Sequence, residues 1–490
     1  MRRSEAGVRP DAGRPTSTRG RTISTVPWLG ATLLAACLGA CSSNGSDGTK
    51  TGATGDAGTG ATGGTSSGAG GANSTGGTSG AASGGTSNGG TSSGGSSGSG
   101  AGGVAAGGAA NVPDGGDAFP GDTFLPWFGG PSYYHWSKGP PSDPDFFPIA
   151  VWLQTPSNAS RYAAVGVNLF VGLWEGPDEN QLSTLAAAKM PVFCDQGGVW
   201  NAHLDDGTIL GWLQPDEPDN AQPKAGGGYD PCIDPQTIIA GYDTMVGNDP
   251  NRPVWLGLGR GVSDTQWVGR GTCTGNTDMY EEYQKGGDIL SFDIYPANGS
   301  IGLEAVPAGV ENLRRWSGDA KPVVADIEGS MIDDGNPRPT PAQIESEIWM
   351  AIVHGAAGIQ YFCHRFTPTF SETDCIDTTE RADALTAIDA KVTGLAPVLN
   401  TRSVGNGVTA RSSVADKPID TMLKRYAGKT YLFATEMRSG TTHGTFTLRD
   451  FPASATAIVV GENRSIPVTG GVFEDDFADY GVHVYEIGIQ

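Results

Sequence analysis

The residues of this chain whose types and spacing could do chemistry are carboxylates at the ends of apolar runs. The run from Thr208 to Leu213 ends in Gln214-Pro215-Asp216-Glu217-Pro218-Asp219. Pro215 and Pro218 cannot donate ladder hydrogen bonds, so a strand must stop there and its acids must ride in the outgoing loop. A second ending of this kind is Lys321-Pro322-Val323-Val324-Ala325-Asp326-Ile327-Glu328-Gly329. Two carboxyl groups brought together can divide the work on one bond, the first as a proton donor and the second as a nucleophile or base.

The elements that must position these acids alternate regularly. Apolar runs at 148–153, 168–172, 191–195, 208–213, 253–258, 289–294, 322–327 and 358–362 predict strands. Helical patterns follow most of them, at 158–165, 178–188, 235–247, 279–284, 303–316, 341–354 and 379–395. The strands are apolar throughout and do not alternate in polarity, as fully buried parallel strands are. Eight such units predict an α/β fold, a (β/α)8 TIM barrel, over residues 118–397 with an aromatic lead-in. An open doubly wound sheet would need a Gly-rich phosphate loop after its first strand, and Gln154-Thr155-Pro156-Ser157 is not one. After Pro397 short strand-like runs at 403–410, 420–426, 429–436, 444–448, 457–460 and 482–487 predict a small all-β sandwich over 398–490.

A barrel gathers the loops that leave its strands into one mouth. That would assemble Gln154, Trp174, Asp195, Trp200, Asp216, Glu217, Asp293, Tyr295, Asp326, Glu328 and His364. Carboxylates and aromatics dominate this set; no His/Cys spacing suggests a metal site, and no cofactor motif is present. Acids to break a glycosidic bond and aromatic faces to hold sugars form a coherent inventory. Each tryptophan could equally be core or lid, and Asp326 a buried structural acceptor.

On these residues the chain resembles the retaining (β/α)8 glycoside hydrolases known as clan A. The resemblance implies that Glu217 is the acid/base after strand 4 and Glu328 the nucleophile ending strand 7. It also implies that Tyr295, in Ser-Phe-Asp-Ile-Tyr-Pro, orients that nucleophile. Two departures bear on the sugar-binding residues: Asp216 stands where the family usually has Asn, and Phe362-Cys363-His364 replaces its strand-8 tryptophan. Asp216, Tyr295, Asp293, Asp326, Trp174, Gln154, Asp195, Trp200 and His364 are the substrate-binding candidates.

The first quarter of the chain reads differently. A basic segment, a short apolar run at 26–34 and Leu38-Gly39-Ala40-Cys41 predict a secretory signal over 1–40. Leu-Gly-Ala-Cys resembles the lipobox of bacterial lipoproteins, which implies lipid on Cys41 and an outer-membrane or cell-surface location. Residues 41–117 are mostly Gly, Ser, Thr and Ala, too poor in apolar area to offset their ordering entropy, and read as a disordered linker. Net charge is −22, which excludes nucleic acid as a partner and suits a neutral carbohydrate handled by a monomer. Cys363 and Cys375 flank one loop, and Cys232 and Cys273 lie in loops after neighbouring strands; both pairs are disulfide candidates in an exported protein. The rival to a hydrolase is a glycan-binding surface lipoprotein on a decayed, non-catalytic barrel.

Overall fold

A computed structural model describes residues 117–125 and 133–488. The expected signal, lipidated Cys41 and nearly all of the linker lie outside the described residues. Eight parallel strands close into a barrel: β1 (Ile149–Trp152), β2 (Leu169–Val171), β3 (Val192–Cys194), β4 (Ile209–Leu213), β5 (Val254–Leu258), β6 (Ile289–Asp293), β7 (Val323–Glu328) and β8 (Gly358–Phe362). Each pairs with its sequence neighbours, and β8 closes on β1. The expected strands are all present, displaced at their ends by a residue or two.

The uninterrupted apolarity of these strands follows from burial on both faces. Inward residues Ala150, Leu169, Val171, Phe193, Trp255, Ile289 and Val324 fill the lower barrel. The alternate residues, such as Ile149, Val151, Phe170 and Ile359, meet the surrounding helices. The lead-in supplies the floor: Tyr134 packs with the inward cluster and its hydroxyl donates to the Ala357 carbonyl at 3.2 Å.

The outer helices are α1 (Ala159–Val165), α2 (Glu179–Ala188), α3 (Pro235–Asn248), α4 (Asp278–Tyr283), α5 (Ala305–Ser317), α6 (Pro341–Val353), α7 (Thr379–Gly394) and α8 (Ala396–Leu399). Local chemistry starts them. Asp178 with Gln181 and Thr340 with Gln343 form reciprocal capping boxes on α2 and α6, each N-cap contributing about 1 kcal/mol. No helix separates β3 from β4; a run of turns over 195–208 makes that connection.

The C-terminal part is one antiparallel sheet curled around its own core: β9 (Val408–Ser412), β10 (Ile419–Tyr426), β11 (Lys429–Glu436), β12 (Thr442–Leu448), β13 (Ser454–Val459), β14 (Arg464–Thr469), β15 (Val472–Phe477) and β16 (Val482–Gly488). Their order is β9-β12-β15-β14-β13-β16-β11-β10. Leu432, Phe446, Phe473 and Tyr485 fill the inside. The outer face of β10, β11 and β16 belongs to the barrel's core through Met422, Tyr431, Phe433 and Val484. Phe433 stacks on Trp349 of α6 at 5.7 Å. Two of these strands, β14 and β15, were not expected. Pro467 and the acidic run Glu474-Asp475-Asp476 masked them. The proline is tolerated because only Thr469 of that strand has ladder partners on both sides, and Pro467 has one.

Cys232–Cys273 and Cys363–Cys375 are disulfides, and Cys194 is free and buried. Among the described residues no helix is long and apolar enough to cross a membrane.

Candidate active site

The β4 ending is built from the residues that flank its acids. Gln214 is buried and its Nε2 donates to the Ile238 and Gly286 carbonyls at 2.8 and 2.9 Å. On the other side Asp219 accepts from the Gly259 amide at 2.8 Å and from the Tyr280 hydroxyl at 2.7 Å. Asp216 and Glu217 are held aloft between these two anchors. Glu217 adopts a left-handed backbone, φ 41°, a strain that persists only where the surroundings enforce it. A Cβ at Gly259 would lie 2.8 Å from Glu217 Oε1 and 2.6 Å from Asn220 Nδ2, so a larger residue there would displace those side chains.

Asp216, Glu217, Asp293 and Asp326 line one cleft at the barrel mouth, together with Trp152, Tyr295, Phe362 and Phe366. Three of the polar wall residues sit side by side in register: Asp293 of β6 opposite Asp326 of β7, and Asp326 opposite Gln360 of β8. Adjacent strands run about 4.8 Å apart, so these groups crowd one another.

That crowding and burial govern protonation. Burial is the largest cause raising the Glu217 carboxyl well above its usual range; Asp293, close by as a charge and as a hydrogen-bond partner, adds to it. Asp293 is pushed up to about 8, by burial first and then by its acidic neighbours, while its bond with Glu217 opposes the rise. Of that pair Glu217 therefore holds its proton the more firmly. Asp216 and Asp326 are also raised, burial again leading in both. A cleft with this many carboxyls and no basic side chain in its wall keeps several protonated at neutral pH.

Glu328, the expected nucleophile, is placed otherwise. It follows Asp326 on the same face of β7 but is 0% exposed and forms no part of the cleft wall. The loop leaving β6 folds over it. The amides of Ala297 and Asn298 donate to its two oxygens at 2.5 and 2.8 Å, and the Asn298 side chain donates as well. Behind it lies the buried carboxyl of Glu347 on α6, which burial and Glu328 together keep protonated. These bonds tie the loop leaving β6 to the end of β7.

The other expected residues divide. Tyr295 lies in the cleft wall with its ring 5.0 Å from Phe362. His364 is buried beside the cleft, and desolvation lowers its pKa to about 4. Gln154 is structural: its amide donates to the carbonyls of Trp152 and Glu372, tying β1 to the β8 loop. Trp200 packs against the barrel's core, and Trp174 and Asp195 are half-buried outside the cleft lining. Trp152, Ser291, Gln360 and Phe366 line the cleft and were not foreseen. Trp152 and Gln360 share the inward parity of their strands, a signal available in the sequence once the barrel is assumed.

No protein-family model matches the chain, and no curated protein matches it. Among solved structures it is similar to a GH30 endoxylanase from Clostridium papyrosolvens, at 13% identity over 76% of this chain and 98% of that one, TM-score 0.42. A family 39 glycoside hydrolase from Bacteroides cellulosilyticus shows 11% identity over 72% and 83%, TM-score 0.42. An alpha-amylase from Geobacillus thermoleovorans shows 10% identity over 70% and 98%, TM-score 0.38. Likeness at this level does not say which side chains react; that must come from the cleft.

A wider groove lies away from the barrel mouth, between α7 and the curled sheet, lined by Lys391, Leu395, Tyr426 and Tyr431 among others. Lys391 is already paired there with Glu345 at 2.9 Å. Among the described residues no group of His, Cys, Asp or Glu side chains is arranged to hold a metal ion.

Proposed function

We propose that this chain is a glycoside hydrolase acting on a neutral oligo- or polysaccharide, with Glu217 as acid/base and Asp326 as the opposing carboxylate. The observation that carries this reading is that Glu217, Asp293 and Asp326, delivered by β4, β6 and β7, line one aromatic-walled cleft. Glu217, kept protonated by burial and by Asp293, gives its proton to the departing glycosidic oxygen. Asp326, its own proton first lost to solvent, attacks the anomeric carbon from the facing strand as the bond to the departing oxygen breaks, and the positive charge that develops on the sugar favours this ionised form. A water then releases the glycosyl ester while Glu217 takes its proton back, so that configuration is retained. The chain does this exported and tethered through lipid on Cys41, a setting that its two disulfides suit.

One observation favours the non-catalytic alternative, a glycan-binding lipoprotein: the glutamate ending β7 is enclosed. Hydrolysis of aryl glycosides and neutral polysaccharides by the full chain decides between them, run beside Glu217→Gln and Asp326→Asn. Turnover that falls by about 10³-fold in both variants supports the pair. Turnover untouched in either refutes it, and binding without any turnover supports the alternative. Proton NMR of the first-formed anomer tests retention.

A further inference from the structure

The cleft does not end at Phe362. From there a chain of rings continues outward along the β8 loop. Phe362 meets His364 edge-on at 5.3 Å and Phe366 at 6.3 Å. His364 stacks on Phe370 at 5.9 Å with the planes 27° apart, and Phe366 lies 6.2 Å from Phe370. Exposure rises along this chain from 7% at Phe362 and 5% at His364 to 52% at Phe370.

The loop that carries these rings is held at several points. Cys363–Cys375 closes it, and Arg365 and Ser371 exchange backbone hydrogen bonds at 2.8 and 2.9 Å. The Arg365 guanidinium pairs with buried Asp374 at 2.9 Å. Single exposed apolar side chains are ordinary. An exposed ring stacked on a buried one, on a closed loop, continuous with a carboxylate-lined cleft, is a prepared surface that needs no ordering when a ligand arrives.

We propose that Phe366 and Phe370, backed by buried His364, form a stacking platform for sugar rings of the substrate lying beyond the bond that is cut. The proposal rests on the glycoside hydrolase reading of the cleft and adds to it a substrate longer than a disaccharide. Neutral rings fit this surface best. Burial keeps His364 uncharged at neutral pH, and the chain's net charge of −22 disfavours uronic or sulfated units. The apolar C–H face of a pyranose covers an aromatic face and removes its exposed area from water.

The test is calorimetric titration of the full-length Glu217→Gln protein, with and without Phe370→Ala, against xylo-, cello-, manno- and malto-oligosaccharides of two and six units. The gain in affinity from disaccharide to hexasaccharide should shrink by about 10-fold in the Phe370→Ala background, as expected when one stacked ring is lost. Phe370→Trp should restore that gain. An unchanged gain in Phe370→Ala overturns the platform, and so does the absence of binding by every oligosaccharide. Hydrolysis by the wild type is read separately. Sugars bound through Phe370 but never cut would leave the platform standing and remove the hydrolase.

Discussion

Asp326 and Glu328 leave the same strand two residues apart and reach opposite surroundings. Asp326 opens on the cleft among Asp216, Glu217 and Asp293, and its Oδ1 meets no protein donor. Glu328 is enclosed by Ala297 and Asn298, whose backbone and side-chain N–H groups converge on it. What separates the two is the supply of donors. At Glu328 several N–H groups oppose the rise that burial brings, whereas at Asp326 neighbouring acids add to it.

Removing the cleft acids should give the largest effects. Glu217→Gln and Asp326→Asn each cost about 10³-fold or more in kcat/KM, equivalent to about 4 kcal/mol of transition-state stabilisation, with melting temperatures close to wild type. A variant that instead unfolds while the residual native protein retains its turnover would move that residue to the structural side of the comparison.

Glu328→Gln should reverse the pattern. Three donors lose a charged acceptor, and the amide's own N–H₂ is turned into a site built to donate. Hydrogen bonds to charged groups contribute about 1.5–3 kcal/mol each and are not additive, so a stability loss of about 2–4 kcal/mol in urea denaturation is expected. Turnover of the protein still folded should fall by no more than about 10-fold. Should kcat drop by about 10³-fold with the denaturation midpoint intact, Glu328 would be the nucleophile and Asp326 its neighbour.

The barrel was legible in the sequence because parallel strands buried on both faces read as unbroken apolar runs, and their loops follow from the order of elements. The carboxylates after β4, β6 and β7 were legible for the same reason. The enclosure of Glu328 was not legible, because it depends on the loop at 295–298, distant in sequence, and the residue type gives no sign of it. Trp152 and Gln360 were not legible from the outgoing loops, because they occupy inward positions within strands. The His364–Phe370 chain of rings was hidden likewise: its members are spaced along an irregular loop, and only the closed fold stacks them. In the C-terminal sheet, Pro467 and three successive acids concealed two strands whose inward residues, Val468, Phe473 and Phe477, are nonetheless core.

The smallest effect sharpens the comparison from the cleft's own side. Asp293 is held at about 8, chiefly by burial and then by neighbouring acids, against about 3.9 in an unfolded chain. Below about pH 4 both states carry its proton and the folded protein bears no penalty. As pH rises from there towards 8 the unfolded chain ionises first, so the native state steadily loses stability and binds more protons than its competitor. The amide introduced by Asp293→Asn cannot ionise, so in that variant this fall should be shallower. Thermal melts between about pH 4 and 8.5 should show the variant gaining on the wild type as pH rises, with the two curves most alike at the acidic end. Parallel curves across the whole range would mean that Asp293 ionises in the cleft as it does in water, and the open, donor-poor half of the comparison would lose its electrostatic basis.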